Sequence, residues 1–144
     1  MRIFVDADAC PVKHIIVKIA REYGLPVTMV IDTSHELNDG YATIITVEKG
    51  RDSVDIALIN RVARGDIVVT QDYGVAAMAL GKGAKALNQN GLVYTDDNIE
   101  RLLSERHIGQ KIRRGGGRTK GPRKRIPEDD ERFTKAFMRL LVVE

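Results

Sequence analysis

Short apolar runs rich in β-branched residues alternate along this chain with stretches whose apolar residues recur every three or four positions. Ile3 to Val5, Val27 to Ile31, Thr43 to Val47 and Ile67 to Thr70 read as strands. Between them lie helical stripes. Pro11 to Tyr23 carries Ile15, Ile16, Ile19 and Ala20 on one face, with Gly24 placed to end the helix. From Gly50 to about Arg64, Val54, Leu58, Ile59 and Val62 share a face, and Gly65 closes the segment. Tyr73 to Leu80 reads as a third helix, stopped by Gly81 and Gly83. Either Lys85 to Asn88 or Leu92 to Tyr94 supplies a last strand. Asp32 to Gly40 is polar and turn-rich and reads as a loop. Strands alternating with helices predict an α/β fold: a three-layer α/β/α sandwich with a mainly parallel sheet and strand one central.

After Tyr94 the pattern changes. Thr95 or Asp96 can cap a helix reaching roughly His107. Lys111 to Arg125 then holds many cations, no acid, three consecutive glycines and almost nothing apolar. Such a stretch buries too little surface to offset its ordering entropy, so it predicts a flexible basic arm. Pro127 and the acids Glu128 to Glu131 open a final helix with Phe133, Phe137, Leu140 and Leu141 on its apolar face. The expected division is an α/β domain over 1–110, a basic arm over 111–127, and a helix over 128–144 that docks on the domain.

Length and composition fit one domain with an aliphatic core. The chain has 144 residues, 43% of them hydrophobic, and no Trp. Cys10 is the single cysteine, so neither an intrachain disulfide nor a thiolate cage can form. It reads as a small residue at a helix start. No apolar run is long enough to span a bilayer and the N-terminus lacks a signal-peptide pattern, so no membrane contact and a cytoplasmic location are expected. The sequence carries no sign of an oligomeric state.

The chemistry gathers where strands end. Asp6 and Asp8 follow strand one at a spacing of two, which in extended chain points both the same way. Asp52 and Asp55 open the second main helix, and Asp72 follows strand four. In a doubly wound sheet, strands one and four are usually neighbours, and ligands sit at their C-terminal edge. Carboxylates crowded there repel unless protons or cations neutralise them. Oxygen donors without His or Cys suit Mg²⁺ or Mn²⁺, and such an ion can bind a phosphate and activate a water.

Three segments carry a resemblance: Phe-Val-Asp-Ala-Asp-Ala-Cys-Pro-Val at 4–12, Lys-Gly-Arg-Asp-Ser-Val-Asp at 49–55, and Val-Thr-Gln-Asp-Tyr-Gly-Val-Ala at 69–76. Together with the Gly-rich basic arm, they resemble the uncharacterised bacterial YaiI/YqxD family over nearly the whole chain. That family is similar to the PIN-like superfamily, whose better-known members are metal-dependent ribonucleases. The resemblance implies an Asp ending strand one, an acid early in a middle helix and a Thr-x-Asp ending strand four. In this chain those positions are Asp6, Asp55, and Thr70 with Asp72, and Asp8 and Asp52 are extra. Many PIN nucleases carry a further acid just after the Thr-x-Asp, where this chain has Tyr73 and Gly74.

The expected function is metal-dependent cleavage of RNA. Asp6, Asp55 and Asp72 are the expected ligands of Mg²⁺ or Mn²⁺, with Asp8 beside them as ligand or water-orienting group and Thr70 facing the same pocket. Lys49 and Arg51 are expected to hold flanking phosphates, and Arg113, Arg114, Arg118, Lys120, Arg123, Lys124 and Arg125 to bind RNA through the arm. Two alternatives compete. In a phosphohydrolase of the haloacid dehalogenase type, Asp6 is the nucleophile, Asp8 the acid, Lys82 or Lys85 the lysine, and Asp96 with Asp97 the acidic pair. Against it, Pro11 starts a helix almost at once, and Asp52 and Asp55 are left without a role. The other alternative is an RNA-binding protein without turnover.

Overall fold

The computed structural model describes residues 1–32, 40–50, 52–116 and 123–142, with the backbone alone over 107–114. The strands are β1 (Ile3–Asp6), β2 (Val27–Asp32), β3 (Thr43–Val47), β4 (Ile67–Val69), β5 (Lys85–Leu87) and β6 (Val93–Tyr94). The helices are α1 (Lys13–Tyr23), α2 (Ser53–Ile59), α3 (Tyr73–Gly81), α4 (Asp96–Arg114) and α5 (Pro127–Val142). The sheet order is β3-β2-β1-β4-β5-β6, so β1 is internal. The first five strands in that order are parallel, and β6 returns antiparallel on β5. Both segments that competed for the last strand are therefore strands, paired as a hairpin.

Continuous apolar runs form the inner strands because both their faces are covered. Ile3 and Val5 pack with Ile16, Phe133 and Phe137, on the face covered by α1 and α5. Phe4 packs with Leu58, Val75, Ala79 and Leu102, on the face covered by α2, α3 and α4. The same alternation splits Ile67 and Val69 from Val68. This period of two decides where the acids go. Asp6 follows Phe4 by two residues, and Thr70 follows Val68 by two. Both are directed to the face of α2, α3 and α4, at the C-terminal edge of the sheet.

Three elements differ from their sequence-based bounds. Helix α2 ends at Ile59, well short of Arg64. Helix α4 continues past His107 to Arg114, so the first four residues of the basic stretch are helical. The end of that stretch is held in place. Arg123 and Arg132 both pair with the buried Asp129, and Arg125 pairs with Asp130 and donates to the carbonyl of Gln89. The hydrogen bonds of Asp129, first from Arg123 and then from the backbone of Ile126, hold its carboxyl well below the usual carboxylate range. The middle of the stretch, 117–122, and residues 33–39 of the expected Asp32 to Gly40 loop lie outside the described residues.

The β5–β6 turn rests directly on α5. Gly91 adopts φ +88°, and a Cβ there would stand 2.6 Å from the carbonyl oxygen of Arg132. Neither the backbone of α5 nor the left-handed conformation at Gly91 tolerates a side chain. Gly91→Ala is expected to lower stability by about 2 kcal/mol, read as a fall in the urea midpoint at unchanged m-value.

Candidate functional site

The parallel register sets the centre of the site. Val5 pairs with Val69, which puts Asp6 beside Thr70 where the two strands end. The Thr70 hydroxyl donates to Asp6 Oδ2 at 3.0 Å, and the Asp72 amide donates to Thr70 Oγ1 at 3.0 Å. Tyr94 is buried, and its hydroxyl donates to the Thr70 carbonyl at 3.1 Å. Thr70 is thus held from both sides and in turn fixes one oxygen of Asp6. Asp72 caps α3, with Oδ1 accepting from the amides of Gly74 at 2.8 Å and Val75 at 3.1 Å. A cleft of about 380 Å³ opens here, lined by Asp6, Gln71, Asp72, Tyr73 and Arg106.

The acids sense one another. The Asp6 carboxyl is pushed up to about 6 by burial; the Thr70 hydrogen bond opposes this, and the charges of Asp55, Asp72 and Asp8 add to it. Asp55, half-buried in the first turn of α2, is raised by burial, then by Asp72 and Asp52, with Arg106 opposing. Asp6, Asp55 and Asp72 therefore occupy one electrostatic neighbourhood, as their placement on one face of the sheet requires.

Asp8 adds its charge at Asp6 while its carboxylate is held at the end of β2. The chain leaves the strand after Asp6, and Ala9 takes a left-handed conformation at φ 57°. The alternation stops there, and Asp8 Oδ2 accepts from the Asp32 amide at 3.3 Å, at the end of β2. Asp52 acts on the cluster through its charge at Asp55 and not as a helix cap. At φ 62° it precedes α2, and its side chain makes no cap bond. Ala9 and Asp52 are the two non-glycine residues with positive φ among the described residues, and both border the site.

Arg106 is the residue that the sequence reading missed. It lies one turn beyond the buried Leu102 and places NH1 3.5 Å from Asp72 Oδ1. Spacings of four and three from Leu102 and Leu103 were the available signal, but placing Arg106 beside Asp72 takes the packing of α4 on α3, a tertiary contact. Of the expected phosphate holders, Lys49 is exposed beyond edge strand β3, and Arg51 lies outside the described residues. Arg113 and Arg114 are in the backbone of α4, Arg118 and Lys120 lie outside the described residues, and Lys124 is exposed. Arg123 and Arg125 are engaged with Asp129 and Asp130. The dehalogenase alternative loses its lysines. Lys82 donates to the carbonyls of Ile59 and Val62 after α2, and Lys85 donates to the Leu140 carbonyl on the other side of the sheet.

Among the described residues, no three carboxylate, imidazole or thiol side chains close into a ready ligand cage. The donor chemistry nonetheless fits Mg²⁺ or Mn²⁺. Such ions are commonly held by one or two carboxylates and keep several waters, for which the cleft has room. Cys10 is no thiolate competitor, because burial pushes its thiol up.

The sequence profile of the family described as "Uncharacterized BCR, YaiI/YqxD family" matches residues 4–143. The chain belongs to the YaiI/YqxD family. A UPF0178 protein of Ruminiclostridium cellulolyticum is 74% identical over 138 residues, covering 96% of this chain and 90% of that protein. One of Clostridium acetobutylicum is 58% identical over 144 residues, covering 99% and 97%. Among solved structures, Rae1 (YacP) from Bacillus subtilis is similar over 93% of this chain and 91% of that one, at a TM-score of 0.43 and 19% identity. No helix of this YaiI/YqxD protein, among its described residues, is long and apolar enough to cross a membrane.

Proposed function

We propose that this YaiI/YqxD protein is a metal-dependent nuclease that cleaves RNA phosphodiesters at the cleft lined by Asp6 and Asp72, with Asp55 as a third acid acting there. One observation carries the reading: burial and the charges of acidic neighbours, Asp72 among them, raise the carboxyls of Asp6 and Asp55 beside an open cleft that Asp6 and Asp72 line. Excess negative charge at a sheet edge costs stability, and a cation entering with its substrate offsets that cost.

Asp6, Asp55 and Asp72 would hold Mg²⁺ or Mn²⁺, which supplies charge stabilisation and a more acidic water. Thr70 keeps Asp6 turned to the cleft through its hydroxyl. Arg106, now beside Asp72, can move its guanidinium to a phosphate oxygen as substrate enters, trading one charge-assisted partner for another. In the reaction, a water oxygen bonds to phosphorus, the bond from phosphorus to a ribose oxygen breaks, and that oxygen takes up a proton. Asp8 contributes charge and the anchoring of β2.

A second reading, RNA binding without turnover, draws on Arg106, which already balances part of the charge of Asp72. The two separate in one experiment. Purified protein is incubated with single-stranded RNA, structured RNA and single-stranded DNA, each with Mn²⁺, Mg²⁺ or EDTA. The nuclease reading expects cleavage of RNA that needs the ion and is lost in Asp6→Asn. Binding with no ion-dependent product on any substrate selects the second reading.

A further inference from the structure

A second cavity, of about 410 Å³, lies between the β5–β6 turn and α5, lined by Asn90, Gly91, Leu92, Arg132, Lys135, Ala136 and Arg139. Its cations come from one face of α5, at spacings of three and four. Arg132 is paired with Asp129, but Lys135 and Arg139 are exposed and enter no ion pair among the described residues. The groove is rigid. Gly91 backs onto the carbonyl of Arg132, and Arg125 ties the turn to α5 by donating to Asn90 Oδ1 at 2.7 Å and the Gln89 carbonyl at 3.0 Å.

The groove also adjoins the acidic cleft. The turn follows β5, whose C-terminal end lies at the same sheet edge as Asp6 and Asp72. Gln71 lines the cleft and donates through its side chain to that of Gln89, the neighbour of Asn90 in the groove wall. Two residues of one turn separate a carboxylate cleft from a groove with two uncommitted cations. A ligand crossing both needs repeated negative charge and a backbone that can bend over the turn. Tyr73 lines the cleft, its ring fixed edge-on against Tyr94 at 6.0 Å between centroids, and offers an aromatic surface to an unpaired base.

We infer that the groove of Lys135 and Arg139 is the phosphate track for single-stranded RNA leading away from the acidic cleft. The inference rests on the nuclease reading for what happens in the cleft, but the track itself is a matter of binding. Single strands suit it because their bases can be splayed onto an aromatic side chain while the backbone follows a charged groove.

The test measures binding of a labelled twelve-nucleotide single-stranded RNA in EDTA over a series of salt concentrations. Lys135→Glu, Arg139→Glu and their combination are compared with wild type and with Lys18→Glu, an exposed cation on α1. The double variant is expected to bind about tenfold or more weakly and to lose about 1.4 from the salt slope, about 0.7 for each phosphate contact. Lys18→Glu is expected to behave as wild type. The same affinity and slope in the double variant as in Lys18→Glu overturn the track. So does equal binding by a poly-glutamate peptide of matched charge, which would make the groove a site for acidic protein. A wild type that never cleaves, beside a double variant that loses affinity and slope, removes the nuclease reading and leaves the track. Ion-dependent cleavage with an unaffected double variant does the reverse. The charge-neutral pair Lys135→Gln and Arg139→Gln repeats the measurement if charge reversal impairs folding, and an unchanged slope there overturns the track equally.

Discussion

Asp6→Asn is expected to be more stable than wild type at pH 7.5 in EDTA, by up to about 3 kcal/mol as an order of magnitude, and no more stable at pH 4. The sign follows from where the proton sits. Folding raises the Asp6 carboxyl from 3.8 to about 6. Between those values the folded chain holds a proton that the unfolded chain has released, so stability falls as pH rises through this window. Above about 6, folded wild type carries a buried carboxylate among like charges, which Asn does not. The substitution keeps an acceptor for the Thr70 hydroxyl, so the hydrogen bond survives. Urea unfolding at several pH values between 4 and 7.5 reads the difference. A variant less stable at every pH, with the slope of wild type, would make Asp6 a structural group.

Asp72 does not give so clean a sign. Its carboxylate caps α3 through the amides of Gly74 and Val75 as well as adding charge to the cluster. Asp72→Ala removes the cap and is expected to lower stability by about 1 kcal/mol, whereas Asp72→Asn keeps an acceptor and is expected to be close to neutral. Parallel unfolding curves of the two variants check the comparison. Asp6 is therefore the position where relief of repulsion is readable alone.

What the sequence discloses follows the reach of its signals. The strand alternation survives because buried parallel strands are continuous apolar runs, and the same period of two carries Asp6 and Thr70 to one face. The period does not foretell the partner of Asp8: the strand ends at Asp6, Asp8 accepts from the Asp32 amide, and Ala9 then turns left-handed. No residue type announces this, since Ala9 is not a glycine. Arg106 lay inside the expected helix, and only the packing of α4 on α3 brings it to Asp72, which no local pattern announces. Helix α4 itself runs on through Gly109 to Arg114, since one glycine in a polar stretch does not end a helix. The pairs of Arg123 and Arg125 with Asp129 and Asp130 were within reach, since a run of cations meets a run of acids only a few residues on. Counting the basic stretch by itself concealed that part of its charge is already used.

Mn²⁺ is expected to reverse the pH behaviour of the wild type. An ion that binds only the folded chain stabilises it by about 2.7 kcal/mol at a hundred times its Kd, which for a chain of this size raises Tm by roughly 5–10 °C. The binding is expected to weaken below pH 6, because a proton on Asp6 competes for the same oxygens. In Asp6→Asn and Asp55→Asn the shift should shrink together with cleavage, the latter by about a hundredfold or more. Since both carboxyls are raised by burial and like charge, both variants are expected to be at least as stable as wild type before the ion is added, and urea unfolding in EDTA checks that a lost shift does not come from a damaged fold. Thr70→Val separates ligation from orientation. It leaves all three carboxylates in place but frees the Asp6 oxygen that the hydroxyl now holds. Its Mn²⁺ shift should be largely kept while turnover falls. Equal Mn²⁺ shifts in wild type, Asp6→Asn and Asp55→Asn would show that the ion binds elsewhere and that the cleft is not a metal centre.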